Sequence, residues 1–344
     1  MRKYSKFAYL CAPINRYRQM NRFKGVLYGM ATSVTFGLIP LFTLPLMGKG
    51  MVYDSILFYR FLFASMALGT VMLIKKESFR VEWKDVPVFV MLSVFYTFSS
   101  LFLLWGYGYM GAGVATTLHF TYPVFVTLIM FFIFRERSSW LTWVAIALAV
   151  GGVAMLSLPS GGMEADVAGV VIVLLSAVGY ASYITGVNKS RVRNMNSRKL
   201  AFYVFVFTTV IFGCKAVFCG GVQLPPDPAS VGNLALLAVL PTVVSNITLV
   251  LAVQNIGGTL TSVLGALEPL TAVCIGALVF GEDFTAREAG GIMLVLVAVT
   301  LIILTQVLSR GLSPRCSGRY GRDMPESWSG YLRNRRIILS FIFP

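Results

Sequence analysis

Long apolar runs separated by short polar connections form the dominant pattern along the chain. A helix that crosses a bilayer needs about 20 mostly apolar residues, because lipid offers no hydrogen-bond partner to its backbone. Ten such runs are present, at approximately 25–47, 55–74, 86–106, 112–134, 140–158, 167–187, 200–218, 234–253, 259–280 and 286–305. The pattern therefore predicts an all-α integral membrane protein with ten transmembrane helices.

The composition supports this class and argues against several others. Of the 344 residues, 57% are hydrophobic and only 12% are charged, and the mean hydropathy is +0.77. A soluble domain carries about 25% charged residues to cover its surface. We therefore expect neither a soluble enzyme, nor a disordered chain, nor a protein that binds nucleic acid.

The basic residues predict how the helices are oriented. The chain has 29 Lys and Arg against 14 Asp and Glu, and basic residues accumulate in cytoplasmic loops. With the N-terminus inside, 25 of them fall in predicted cytoplasmic segments, whereas Lys49, Lys215 and Arg287 fall on the other side and Arg60 lies within a span. We therefore expect a multi-pass protein in a bacterial-type plasma membrane, with both termini cytoplasmic.

The sequence also contains an internal repeat. A shift of 146 residues aligns a proline, a phenylalanine and a glutamate in the two halves: Pro123, Phe134 and Glu136 with Pro269, Phe280 and Glu282. Chance similarity between apolar helices would match hydrophobicity, but not Pro and Glu at equal spacing. The chain is therefore predicted to contain two five-helix repeats, 25–158 and 167–305, between basic cytoplasmic tails at 1–24 and 306–344.

The number of helices in each repeat predicts an inverted arrangement. Five is an odd number, so the two repeats enter the membrane from opposite sides. Inverted repeats are an architecture of secondary transporters, whose binding site lies near the midplane between the repeats. Opening one repeat while the other is closed would give alternating access to that site. Duplication that merely builds a larger bundle is the structural alternative.

Two segments resemble the signatures of a known family. Tyr122-Pro123-Val124-Phe125 followed by Phe134-Arg135-Glu136, and Leu267-Glu268-Pro269-Leu270 followed by Phe280-Gly281-Glu282, resemble the paired signatures of EamA-type transporters. The resemblance covers about residues 21–305 and includes the Gly-rich start of a following helix at 290–291. It implies the ten-helix inverted-repeat fold of the drug/metabolite transporter superfamily, which moves small metabolites, often outward, without ATP hydrolysis. It does not select one substrate.

Three ionisable side chains lie inside predicted spans, where each costs about 2.5 kcal/mol or more unless it faces a cavity or a partner. Glu268, the deepest, could carry a proton or pair with a substrate amine; alternatively it is a packing carboxyl. Arg60 could hold a substrate carboxylate or phosphate, or form a structural ion pair. His119 could titrate near neutral pH, although a lone intramembrane His is more often a packing residue. No metal site and no cofactor are expected.

The repeat supplies further candidates around these residues. Tyr122 is the counterpart of Glu268 and lies one turn from His119, so these side chains could share one outward-facing polar vestibule. Pro123 and Pro269 each remove a backbone donor and are predicted to kink their helices. Such bends could act as hinges, or they could be static features of packing.

Short polar and aromatic side chains complete the candidate site. Ser100 and Asn246, related by the repeat, could hydrogen-bond a solute, although such residues commonly join helices as well. Tyr180 could line an apolar cavity together with Tyr96 and Tyr183. Tyr180 and Tyr183 are three residues apart and therefore share a helix face.

The function predicted from these features is secondary transport, with export of amino acids or related small metabolites favoured. An exchanger of phosphorylated metabolites or nucleotide-sugars is an alternative, but Arg60 would be its only deeply placed cation. A receptor or scaffold that does not transport is a second alternative. A membrane enzyme is not expected, because a chain with one His lacks clustered catalytic groups. The functional unit is expected to be a monomer, with a homodimer as the alternative.

Overall fold

The computed structural model describes residues 23–135, 139–157, 167–218 and 220–311. Glu136 and nearly all of both predicted tails lie outside these residues. The described part contains no strand, and its α-helices are α1 (23–37), α2 (Ile39–Gly48), α3 (Tyr53–Ile74), α4 (Val86–Gly106), α5 (Ala112–His119), α6 (Tyr122–Phe132), α7 (Trp140–Ser157), α8 (Val167–Lys189), α9 (Ser197–Phe218), α10 (Pro228–Ala238), α11 (Ser245–Leu264), α12 (Leu267–Phe280) and α13 (Ala286–Gly311).

Eight segments of the described chain are helical, long and apolar enough to cross a membrane. They are Phe23–Gly48, Tyr53–Ile74, Trp83–Gly106, Ala112–Phe132, Val167–Lys189, Ser197–Phe218, Pro228–Ala252 and Ala286–Thr305. The fifth and ninth predicted crossings correspond to the shorter apolar helices Trp140–Leu156 and Leu267–Phe280. The all-α membrane class is therefore confirmed, whereas ten complete crossings stay a prediction.

Several of these segments are interrupted beside a proline. Pro40 lies in the first turn of α2, directly after the break that ends α1. Pro123 and Pro269 lie in the first turns of α6 and α12. Proline suits the start of a helix, because it has no N–H to leave unpaired there. The two repeat-related prolines therefore begin new helices, where the sequence predicted kinks within continuous ones.

The predicted loop between the eighth and ninth crossings is helical and belongs to α11. The hydroxyl of Thr32 on α1 lies 2.7 Å from that of Thr248, and Gly29, three residues earlier on α1, lies against Leu264. A straight helix would separate Thr248 from Leu264 by roughly 24 Å. Since Gly29 and Thr32 are less than one turn apart, α11 must bend back. The chain reverses here without a loop.

Corresponding helices of the two predicted repeats pack against each other. The contacts pair α3 with α9, α5 with α12 and α7 with α13, while α4 packs mainly on α8. Large apolar side chains also cover the outside of the bundle, including Phe218 and Leu278, which are 89% and 85% exposed. Such a surface suits lipid, which has no hydrogen-bonding groups of its own in its core.

One end of the bundle carries the connections 75–85 and 190–196, and we call it the basic end. Arg198, in the first turn of α9, forms an ion pair with Glu77 just beyond α3. Arg191 lies 3.5 Å from a carboxylate oxygen of Glu82. Two loops that were predicted to share the cytoplasmic side therefore meet at one end.

Charged residues at the opposite end form a separate set of contacts. The Lys215 ammonium lies 2.7 Å from Asp54, and the Lys49 ammonium lies 2.7 Å from Asp227. Asp227 also accepts a hydrogen bond from the backbone N–H of Ser230 at the start of α10. The hydrogen bond from Lys49, reinforced by that from Ser230, lowers the pKa of Asp227 to about 2.

Glu282, the repeat counterpart of Glu136, closes the contact between α5 and α12 at this opposite end. Its two carboxylate oxygens accept hydrogen bonds from the backbone N–H groups of Ala112 and Gly113, at 2.7 and 3.4 Å. These donors belong to the first turn of α5, where backbone N–H groups have no partner within the helix. Glycines at 111 and 276 leave room for the carboxylate.

Candidate functional site

A small central cavity lies where the interrupted helices meet α3, α4 and α8. Its volume is about 50 Å³, and its lining residues are Phe36, Ile39, Arg60, Tyr96, Ser99, Ser100, Leu103, His119, Tyr180 and Glu268. The structure thus brings together five of the residues selected from the sequence: Arg60, Ser100, His119, Tyr180 and Glu268. The space can hold a few water molecules, but organic ligands occupy about 300 Å³ or more.

Arg60 supplies a buried positive charge to this cavity. It lies on α3 with only 3% of its surface exposed, and its Nε donates a hydrogen bond to the hydroxyl of Thr242 at 3.0 Å. The guanidinium carbon also lies 5.3 Å from the ring centre of Phe61. Its terminal amino groups have no hydrogen-bond partner among the described residues, so they remain available to a ligand.

The hydrogen-bond partner of Arg60 belongs to an irregular helical turn in the second predicted repeat. Residues Val239–Val244 form a π-helical segment between α10 and α11. Pro241 has no N–H to donate to the carbonyl of Leu237, and the hydroxyl of Thr242 donates to that carbonyl at 3.0 Å. The Thr242 hydroxyl therefore donates to the carbonyl that the proline leaves without a backbone partner, and it also holds the Arg60 side chain in place. Thr242 was not among the residues selected from the sequence, although the Pro-Thr pair inside an apolar run was a signal for it.

Glu268 supplies a carboxyl group to the same cavity. It occupies the first turn of α12 and is half-buried. Gly37 of α1 allows close approach here, because a Cβ at Gly37 would lie 2.6 Å from the carbonyl oxygen of Glu268. The Glu268 side chain has no hydrogen-bond partner and no ion-pair partner among the described residues. In particular, it does not pair with Arg60 across the cavity.

His119 is held by a chain of hydrogen bonds. It ends α5 and is 7% exposed, and its Nδ1 lies 3.0 Å from the hydroxyl of Ser176 on α8. That hydroxyl donates to the carbonyl of Ser99 at 2.6 Å. The tautomer with a proton on Nδ1 fits this arrangement. The Ser176 hydroxyl already donates its proton to the Ser99 carbonyl, so it can only accept a hydrogen bond from the ring. The ring therefore joins α5, α8 and α4 while its edge lines the cavity.

Tyrosines form a continuous aromatic cluster along one side of the cavity. The ring centres of Tyr122 and Tyr180 are 4.8 Å apart, and those of Tyr96 and Tyr183 are 5.0 Å apart. Tyr180 and Tyr183 are stacked at 5.9 Å. Tyr96 and Tyr180 line the cavity, whereas Tyr122 lies behind Tyr180 and is not among the lining residues.

Asn246 lies away from the central cavity, in a second space that we call the basic-end groove. This groove has a volume of about 320 Å³ and is lined by Leu68, Tyr183, Ser197, Arg198, Leu200, Ala201, Asn246, Ile247, Leu249 and Val250. Asn246 donates from its amide group to the backbone carbonyl of Thr242 at 2.6 Å. Ser100 and Asn246, which the repeat related to each other, therefore face different spaces.

Comparisons with known proteins find several relatives that are named as transporters. A protein of Archaeoglobus fulgidus, named an uncharacterized transporter, is 25% identical over 256 residues, which cover 71% of this chain and 86% of that protein. The uncharacterized transporter YdfC of Bacillus subtilis is 24% identical over 254 residues, covering 72% and 81%. The uncharacterized inner membrane transporter YedA of Escherichia coli is 24% identical over 199 residues, covering 57% and 63%.

A solved structure and a protein family complete the comparison. One crystal structure superimposes with a TM-score of 0.59 over 84% of this chain and 99% of its own, at 17% sequence identity, which shows a shared fold. The model of the EamA-like transporter family matches twice, over residues 23–158 and 167–304. The resemblance inferred from the sequence is thereby confirmed. The chain belongs to the EamA-like transporter family, and it is a multi-pass membrane transporter.

Proposed function

We propose that the protein is a secondary transporter that exports small zwitterionic metabolites such as amino acids. The observation that carries this proposal is that Arg60 and Glu268 line one intramembrane cavity and form no ion pair with each other or with any other described residue. A charged side chain in the membrane costs about 2.5 kcal/mol or more without a partner. The fold holds both groups at this cavity without joining them, which supports a ligand that carries both complementary charges.

An amino acid offers the complementary groups. Its carboxylate suits the planar guanidinium of Arg60, which can donate two parallel hydrogen bonds. Its ammonium group suits the carboxyl group of Glu268. The rings of Tyr96 and Tyr180 provide an apolar wall for a side chain. Charge and shape together favour this class of solute over a purely anionic or purely apolar one.

Alternating access between two inverted repeats would make room for this solute. A cavity of about 50 Å³ must widen before it admits an amino acid. The breaks beside Pro40, Pro123 and Pro269 are suitable hinges, because backbone hydrogen bonds are already interrupted there. The double family match and the pairing of α3, α5 and α7 with α9, α12 and α13 support the repeat. The distribution of basic residues supports cytoplasmic termini in a plasma membrane.

Two alternatives make different predictions. Exchange of phosphorylated metabolites should require several buried cations, and Arg60 is the one cation among the residues that line the central cavity. A receptor or scaffold would bind a solute without moving it. Only a transporter equilibrates labelled solute across the bilayer, so counterflow separates these alternatives. We propose a monomer as the functional unit, because ten helices can enclose a pathway within one chain.

The test is counterflow of labelled amino acids into liposomes that contain the purified protein. Glu268→Gln should weaken the exchange about tenfold or more, because a hydrogen bond to a charged group contributes about 1.5–3 kcal/mol. Glu82→Gln is the matched control, because Glu82 lies on an exposed loop at the basic end. Absence of counterflow for every amino acid would contradict the proposal. Equal rates for Glu268→Gln and the wild type would remove Glu268 from the mechanism.

A further inference from the structure

We propose that the basic-end groove is an antechamber for the transported solute, and that the ring of Tyr183 separates it from the central cavity. The inference rests on the proposed function, since it assigns the groove to the same solute. It also makes Tyr183 a positioning residue that controls access to the site containing Arg60 and Glu268.

The sizes of the two spaces support this assignment. The central cavity measures about 50 Å³, whereas the groove measures about 320 Å³. Pockets that hold small organic ligands are about 300–1,000 Å³. In this conformation the groove has room for a solute the size of an amino acid, while the cavity is too small. The lining of the groove includes the exposed Ser197 at the basic end, so the groove reaches that face of the bundle.

The groove and the cavity share a wall of aromatic rings. Tyr183 lines the groove, whereas Tyr96 and Tyr180 line the cavity. The ring of Tyr183 lies 5.0 Å from that of Tyr96 and stacks on Tyr180 at 5.9 Å. The aromatic ring is therefore placed as a partition and could contact a solute on either side.

Thr242 provides a second connection between the two spaces. Its hydroxyl accepts a hydrogen bond from Arg60, which lines the cavity, and its carbonyl accepts one from Asn246, which lines the groove. A shift of the π-helical segment would therefore displace a polar group in both spaces at once. The two spaces are joined by packing and by hydrogen bonds, although they share no lining residue.

The chemistry of the groove suits the apolar part of a solute. Most of its walls are aliphatic, including Leu200, Ile247 and Val250. Arg198, its cation, is already paired with Glu77. The groove therefore offers apolar contact and neutral hydrogen-bonding groups, whereas Arg60 and Glu268 line the central cavity. A solute would be held loosely first and bound through its charges afterwards.

Cysteine accessibility tests this assignment without requiring transport. All five native cysteines are replaced by serine, and single cysteines are introduced by Ile247→Cys in the groove and Ser100→Cys in the cavity. Membrane vesicles are treated with an impermeant methanethiosulfonate on one side at a time. Ser197→Cys identifies the side of the basic end, and Val210→Cys, on the exposed face of α9, gives the rate for a lipid-facing position.

Three results are expected. Ile247→Cys reacts about tenfold faster than Val210→Cys from the side that labels Ser197→Cys. A mixture of the twenty amino acids slows that reaction at least about threefold by occupying the groove. Tyr183→Ala speeds the reaction of Ser100→Cys from the same side about tenfold, whereas Tyr183→Phe, which keeps the ring, does not. If Tyr183→Ala fails to fold, Tyr183→Leu provides the same comparison.

Each contrary result would overturn a stated part of the inference. If lipid fills the groove, Ile247→Cys will react with the methanethiosulfonate as slowly as Val210→Cys. If amino acids do not slow the reaction of Ile247→Cys, they are not the occupant of the groove. An unchanged rate for Ser100→Cys in the Tyr183→Ala and Tyr183→Leu backgrounds would show that the ring is not the partition. Loss of counterflow with all three expected results intact would contradict the proposed function while supporting the connection between the two spaces.

Discussion

Replacing Thr242 with valine should weaken solute binding, although Thr242 lies outside the residues that line the cavity. The change keeps the shape of the side chain but removes the hydroxyl that accepts a hydrogen bond from Nε of Arg60. Arg60 is 3% exposed, so bulk water does not reach it to replace the lost partner. The guanidinium must then turn toward another acceptor, and a solute has to draw it back before binding.

The expected magnitude follows from that single hydrogen bond. A hydrogen bond to a charged group contributes about 1.5–3 kcal/mol, and every 1.4 kcal/mol changes an equilibrium constant about tenfold. Thr242→Val should therefore raise the half-saturating solute concentration about 10- to 100-fold. Thr242→Ser keeps the hydroxyl and should stay within about threefold of the wild type.

The assay is the concentration dependence of amino-acid counterflow in proteoliposomes. Thr43→Val is the matched control, because Thr43 is also fully buried but its hydroxyl bonds only to the carbonyl of Ile39 within α2. We expect little change in half-saturation for this variant. Equal half-saturation for Thr242→Val, Thr43→Val and the wild type would refute the reasoning that Thr242 positions Arg60 for the solute.

Two further predictions concern packing and pH. Gly37→Ala should lower stability by about 1–3 kcal/mol and slow transport, because its Cβ would meet the carbonyl oxygen of Glu268. Gly232→Ala is the control and should change neither property, because its Cβ would meet nothing within 4 Å. Equal melting temperatures for the two variants would contradict the predicted clash. For Asp227, the ordinary pKa of 3.8 falls to about 2 in the fold. Its contribution to stability is therefore complete above about pH 4 and lost as the pH falls toward 2. The difference in melting temperature between the wild type and Asp227→Asn should stay constant from about pH 8 to 5 and shrink below about pH 4; a steady decline above pH 5 would contradict the assignment.

Hydropathy and local motifs predicted much of the fold, because they depend on composition and short spacing. The apolar runs correspond to the observed helices, and the Thr-x-x-Glu spacing of Thr285 and Glu288 is typical of a capping box. The structure contains this cap at the start of α13, where the Thr285 backbone N–H donates to the Glu288 carboxylate at 2.8 Å and the Glu288 N–H donates to the Thr285 hydroxyl at 3.2 Å. The breaks before Pro123 and Pro269 were missed, because an apolar run looks the same whether its helix is bent or interrupted.

The candidate site was predicted in part. The cost of placing an ionisable side chain inside the membrane was enough to select Arg60, His119 and Glu268, and these three residues do line one cavity. The repeat was a weaker guide for Asn246, because the π-helical segment precedes it directly and α4 has no such segment before Ser100. An extra residue in a turn rotates everything after it by about 100° around the helix axis. A pattern of residue types does not record that rotation.

The interruptions in the helices also shape the electric field of the cavity. Ile39 begins α2 and Glu268 lies in the first turn of α12, and both line the cavity, so two half-helices start at its wall. The amino end of a helix behaves as about half a positive charge. Together with the guanidinium of Arg60, these backbone dipoles add positive potential at the wall of the cavity. Part of the attraction for an anionic group therefore comes from the main chain. Side-chain substitutions during evolution would not remove that part.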